Sequence, residues 1–156
     1  MENIPEFRNT NETAEYIIRK SVYGLLLNSK NELAVIDING SLFLPGGGME
    51  ENEDEIQCLR RELLEELGYA FANSEKITAA NDYIKANTSE KYFKVVGQYF
   101  AILEYNKIQE PTDKDHTVQW LDIHAALIRM NRQGQRWAIQ KLIEKRYSTT
   151  AQTTQI

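Results

Sequence analysis

This chain has a single cysteine, no apolar stretch approaching the length that spans a bilayer, and no excess of positive charge. One cysteine, Cys58, excludes an internal disulfide, so the fold must hold by packing and hydrogen bonds. Without a long apolar run no membrane helix is expected. The first residues, MENIPEFRNTNETAEY, lack the basic and apolar regions of a secretion signal, and a cytoplasmic location is the expectation. A net charge of −5 argues against binding a nucleic-acid polymer, which needs clustered lysine and arginine. What remains is an ordinary soluble composition, 42% hydrophobic and 26% charged over 156 residues, enough for one compact domain with a substantial core. We expect that domain over 1–147, with 1–15 a loose arm or short edge segment and 148–156 a disordered tail.

The informative segment is 47–69, GGMEENEDEIQCLRRELLEELGY. Pro45 to Gly48 reads as a loop whose glycines allow positive φ and close approach of a ligand. Asn52 with Glu55 three residues on has the form of a helix N-cap and its capping-box partner. Ile56, Leu59, Leu63 and Leu67 then repeat at helical spacing and should face the core, and Gly68 ends the helix. Cys58 falls among these apolar residues as a small filler, not a reactive thiol. Glu62, Glu65 and Glu66 project beside the apolar stripe, at the rim of a packed surface. Carboxylates three and four residues apart on a helix repel one another unless a cation or a basic partner intervenes. Hard oxygen ligands of this kind suit magnesium or manganese, which bridge carboxylates to phosphate oxygens. An acidic run alone would more simply be a solvated helix face; the glycine loop and the register are what distinguish this one.

From Gly47 the spacing runs five residues to Glu53, seven more to Arg61 and Glu62, then Leu63, Glu65, Glu66 and Gly68. This resembles the Nudix box, G-x5-E-x7-R-E-U-x-E-E-x-G-U with U a bulky aliphatic residue. Every fixed polar and glycine position is present, and the departure is Tyr69 in place of an aliphatic residue. The resemblance implies a divalent-metal hydrolase that cleaves a nucleoside diphosphate linked to another group by water attack on phosphorus, using Mg2+ with Mn2+ as a substitute. It implies Glu62, Glu65 and Glu66 as metal ligands, with the Gly46 carbonyl a further one, Arg61 orienting a glutamate and Glu53 supporting the loop-helix junction. Relatives often carry an acidic residue near the metal as general base before the last helices. Asp115, within DHTVQWLDI, is the nearest match and Glu104 a second candidate, with His116 as an aid to proton transfer against the simpler reading of a solvated loop. His124 is read as structural.

Around this segment the pattern gives strands at 16–27, 33–38 and 41–44, with turns at 28–31 and at Asn39-Gly40, then strands at 77–86, 93–105 and 117–121. Residues 106–116 read as a polar loop. Asp122 caps a helix interrupted at 131–134, and a last helix covers 135–146. The fold class is therefore α/β (α+β), a mixed sheet covered on both faces, which is also the α/β/α sandwich that the resemblance implies.

Substrate choice lies outside the box. The proline associated with ADP-ribose hydrolases and the motif of NADH-specific relatives are absent, no coenzyme A signature is evident, and neither Tyr83 nor Tyr92 falls at the spacing of dinucleoside polyphosphate enzymes. Phe43, Tyr83, Tyr92, Tyr99 and Trp120 are candidates to stack a base, against a core role for most of them. The lean is to a nucleoside triphosphate or modified-nucleotide pyrophosphohydrolase. The alternatives are a non-nucleotide diphosphate, for which Lys85, Lys91 or Lys94 would line a basic pocket, and a non-catalytic nucleotide-sensing domain. A homodimer through the apolar strand 93–105 is also open.

Overall fold

A computed structural model describes residues 3–8, 13–86 and 89–154, with side chains to 146. Eight strands and three helices follow one another as β1 (Glu6–Arg8), β2 (Tyr16–Leu25), β3 (Glu32–Ile38), β4 (Ser41–Phe43), β5 (Gly46–Gly48), α1 (Glu55–Leu67), β6 (Tyr69–Lys85), β7 (Tyr92–Lys107), β8 (Thr117–Asp122), α2 (Ile123–Arg129) and α3 (Gln133–Thr154). They form a five-stranded mixed sheet in the order β1-β6-β7-β2-β5 and a three-stranded antiparallel sheet in the order β4-β3-β8. The expected mixed sheet is thus joined by a second, smaller one.

Two apolar cores flank the strands. One contains Leu33, Val35, Leu44, Val95 and Tyr99 with Ile123, Ala138 and Ile139 from α2 and α3. The other packs Cys58, Leu59, Leu63 and Leu67 of α1 against Val22, Leu26, Ile36 and Ile102. Period-two alternation on β2, β3 and β7 feeds both, because successive side chains leave opposite faces of a strand.

Several expectations change in detail. The cap of α1 is Asp54, whose carboxylate accepts from the Gln57 N–H while the Gln57 side chain accepts from the Asp54 N–H, so the capping box lies two residues beyond Asn52 and Glu55. Asn52 instead takes a left-handed φ of 68° in the preceding turn. The glycine loop is strand β5, antiparallel to Ser21–Tyr23. Residues 69–76, unassigned from the sequence, belong to β6, and their irregular pairing with β7 carries three register shifts. The N-terminal arm is an edge strand at 6–8, parallel to β6. Strand β7 is central, paired with both β6 and β2; of the apolar segment considered for a dimer its Val95, Tyr99, Phe100, Ala101 and Ile102 are buried, while Leu103 is exposed. The last helix extends on both sides of 135–146, and residues 155–156 of the expected tail lie outside the described residues.

Candidate active site

Helix α1 places its apolar face on the core and its carboxylates under β5. Leu59, Leu63 and Leu67 are fully or almost fully buried, and Ile56 packs at the margin of the same core. The helix ends where Gly68 adopts φ +74°; a Cβ there would overlap the Gln109 carbonyl. At the other side of the site, Gly46 has φ +143° and a Cβ would overlap the Val22 carbonyl, so the strand can lie this close to β2 only as glycine.

Arg61 is the hub of the exposed half of the cluster. Its Nε and Nη2 donate to the two oxygens of Glu53, each at 2.8 Å, and Nη2 also reaches the Gly48 carbonyl at 3.1 Å. Its Nη1 donates to Glu62 Oε1 at 3.0 Å and to Glu65 Oε2 at 3.5 Å. One guanidinium therefore ties the glycine strand, the turn before α1 and two box glutamates together, as its planar fork allows. The Arg61 hydrogen bonds hold the Glu53 carboxyl at about 2, well below the usual carboxylate range, and Glu53 in turn raises the pKa of Arg61. Cys58 is buried beneath, its Sγ 3.7 Å from the Gly47 and Gly48 carbonyls, and burial pushes its thiol up to about 12; it is an inert filler.

Glu66 has a different setting. It is 5% exposed, its Oε1 accepts the Gly46 N–H at 2.7 Å, and among the described residues no arginine pairs with it. Burial pushes its carboxyl up to about 8; Glu62, Asp113 and Glu65 add in the same direction and the Gly46 N–H opposes. Burial likewise raises Glu62, against the pull of Arg61. Two residues of the loop before β8 complete this half. His116 Nδ1 stands 3.3 Å from Glu66 Oε2 and 3.8 Å from Asp113 Oδ2. The loop is tied down because the N–H groups of Thr112 and Asp113 donate to the Glu65 carbonyl, at 2.8 and 3.2 Å, near the C-terminal end of α1.

Of the residues expected in the site, Glu53, Arg61, Glu62 and Glu65 share one network and Glu66 lies beside it. Asp115 is exposed on the loop, outside this group, and Glu104 accepts from Asn73 on the exposed part of β7. Asp113 was missed from the sequence; its signal was the three-residue spacing to His116 in DKDH, which a lone polar loop does not reveal. Among the described residues, Glu66, Asp113 and His116 form the group whose ligand-type atoms converge, all within 4.8 Å.

A cavity of about 190 Å³ opens from Glu66, His116, Gly46 and Gly47 toward Phe43, Arg132 and Gln135. Arg132 lies over the Phe43 ring at 5.3 Å and donates to the Tyr23 hydroxyl at 3.2 Å. Gln135 is fully buried; its Oε1 accepts from the Leu44 N–H at 2.8 Å, and its Nε2 has no partner. Of the five aromatics considered for base stacking, Phe43 alone lines this cavity. Tyr99 is buried against Tyr23, and Trp120 stacks near Tyr105 in the α1 core. Lys85 and Lys94 pair with Glu90 and Glu6, so the cations of the cavity are Arg19 and Arg132.

A mixed sheet lies between helices, and an arginine-clamped carboxylate helix opens from a glycine strand at its edge. The family model described as the NUDIX domain matches residues 18–142, and the chain belongs to that family. Solved structures similar to it include a MutT NUDIX hydrolase from Burkholderia pseudomallei, 18% identical with a TM-score of 0.63 over 80% of this chain and 98% of the other. The ORF135 protein of E. coli is 16% identical with a TM-score of 0.65 over 85% and 94%. The NUDIX domain of Shewanella oneidensis NrtR, solved with ADP ribose, is 16% identical with a TM-score of 0.65 over 88% and 94%. No curated protein matches the chain. Among the described residues no helix is long and apolar enough to cross a membrane.

Proposed function

We propose that the protein hydrolyses a nucleoside diphosphate linked to another group, with a nucleoside triphosphate or modified nucleotide as the preferred substrate class. The observation that carries this is the continuity of one cavity from the Glu66 carboxylate to the Phe43–Arg132 pair. That distance of wall offers an acidic end suited to a cation and a phosphate chain, and an aromatic, donor-rich end suited to a base. The donor set fits a hard divalent cation: Glu62, Glu65 and Glu66 with the Gly46 carbonyl would hold Mg2+ or Mn2+. Such a cation, when bound, neutralises phosphate charge and makes water a better nucleophile.

The chain's own residues do the positioning. Arg61 holds Glu62 and Glu65 and anchors them to Glu53, while the Gly46 N–H orients Glu66. Arg19 and Arg132 supply charge along the cavity for phosphate oxygens, and the unpartnered Gln135 amide offers a donor to a base carbonyl. The water oxygen bonds to phosphorus as the anhydride bond between that phosphorus and the bridging oxygen breaks, the bridging oxygen leaves on the departing phosphate, and the water's proton passes to a base at the loop edge of the site. The two products leave as phosphate-bearing anions. The full Arg61 network favours this over a sensing role, because a pure binder has no need of it.

The test is phosphate and pyrophosphate release across nucleoside triphosphates, oxidised nucleotides, ADP-ribose and inositol pyrophosphates, each with Mg2+ and with EDTA. Metal-dependent turnover of a nucleotide is expected. Turnover of a non-nucleotide diphosphate alone would overturn the substrate class, and silence across the panel would overturn catalysis.

A further inference from the structure

We propose that His116 is a nitrogen ligand, with Glu66 and Asp113, for a divalent first-row transition-metal ion, so that this site selects such an ion over Mg2+. The inference rests on the reading above that Glu66 binds a cation, and it adds two ligands, Asp113 and His116, from the loop that the box does not contain.

Three observations converge on it. First, the donor atoms are spaced for one shared ion. Glu66 Oε2 and His116 Nδ1 are 3.3 Å apart, His116 Nδ1 and Asp113 Oδ2 3.8 Å, and all three lie within 4.8 Å. Ligands bound at about 2.0–2.2 Å stand roughly 3 Å apart at right angles and a little over 4 Å apart when opposite. Second, His116 Nδ1 is buried and lacks a hydrogen-bond partner, although two carboxylates are near it. A buried imidazole nitrogen without a partner is costly, and neither carboxylate lies where it would accept a proton from that ring. A cation between them satisfies all three atoms at once. Third, the ligands come from two separately anchored elements. Glu66 is held by the Gly46 N–H, and the loop is pinned through Thr112 and Asp113 to the Glu65 carbonyl. The backbone of the loop is therefore held beside the helix that carries Glu66.

The choice of ion follows from the donors. Magnesium favours oxygen ligands in a regular octahedron, whereas imidazole suits the later first-row ions and rises in affinity along that row. Replacing one oxygen by Nδ1 shifts the balance from Mg2+ toward Mn2+ and its neighbours.

The experiment uses the full chain and Mn2+ alone, with no nucleotide present. Pulsed EPR of bound Mn2+ is expected to show coupling to a coordinated imidazole nitrogen, lost in His116→Gln and kept in His124→Asn, since His124 lies exposed on α2. The Mg2+ concentration needed to displace Mn2+ should fall about tenfold in His116→Gln. Bound Mn2+ without nitrogen coupling in the wild type would overturn the His116 ligand while leaving the metal site standing. Failure to bind Mn2+ at all would overturn both. If His116→Gln does not fold, 15N-histidine labelling of the wild type and of His124→Asn decides the point, since the coupling must then change isotope in both.

Discussion

The two halves of the carboxylate cluster stand a few residues apart on one helix and solve the same electrostatic problem in opposite ways. Around Arg61, the charges of Glu53, Glu62 and Glu65 are answered by a guanidinium inside the protein. Around Glu66, the carboxylate is buried beside Asp113 and His116 with a single backbone N–H for compensation. The first half is held in place by Arg61 before any metal arrives, whereas the second has no internal cation, and in the reading proposed above the metal that Glu62 and Glu65 also hold supplies it. Clustered glutamates thus do not share one setting, and neighbouring charge, not position in the motif, separates a carboxylate ordered by arginine from one left buried without it.

The sharpest way to break this comparison is to neutralise each half in turn. Glu66→Gln keeps volume and can still accept the Gly46 N–H, so it should fold yet lose about 10³-fold or more in kcat/KM, the loss of a charged ligand being worth several kcal/mol. Glu65→Gln also removes a charged ligand and should cut turnover by orders of magnitude, but less than Glu66→Gln, because its carboxylate is 41% exposed and reaches Arg61 only at 3.5 Å. Equal effects in steady-state kinetics, with circular dichroism confirming both folds, would erase the distinction between the halves.

Arg61→Lys comes next in size. A lysine carries the charge but cannot hold both Glu53 oxygens, Glu62 and the Gly48 carbonyl together. We expect kcat to fall about 10–100-fold with a smaller change in KM, read from the same assay. A change confined to KM would mean that Arg61 contacts substrate instead of ordering the glutamates.

The smallest effect belongs to Glu53. Its pKa is lowered from 4.5 in the unfolded chain to about 2 by Arg61, so its contribution to stability is present above about 4.5 and is lost as pH falls toward 2. Glu53→Gln should therefore flatten the acid limb of stability across that window and leave the slope near neutrality unchanged, measured by denaturation at a series of pH values. An unaltered acid limb would show that the Arg61 pair does not persist in solution.

Much of the fold was legible because it depends on local chemistry. The turn at Asn39-Gly40, the apolar repeat Leu59-Leu63-Leu67, the stop at Gly68 and the Asp122 cap of α2 each rest on residues within a few positions of one another. The strand at 69–76 was not legible. Alanine, asparagine, serine and charged residues there have little preference for extended backbone, and pairing with β7 imposes it. The cap of α1 was misplaced for a related reason: Asn52 and Asp54 are both good capping residues, and the left-handed backbone at Asn52 decided between them.

By itself the sequence determined the family, the glutamates and arginine of the box, and the helix that carries them, because those follow from spacing along one periodic element. Tertiary structure alone decided which carboxylate is buried, which is clamped by Arg61, and that Asp113 and His116 approach Glu66 across nearly fifty positions of chain. Burial and charge pairing are properties of distances in space. No spacing within the box contains the loop that closes over it.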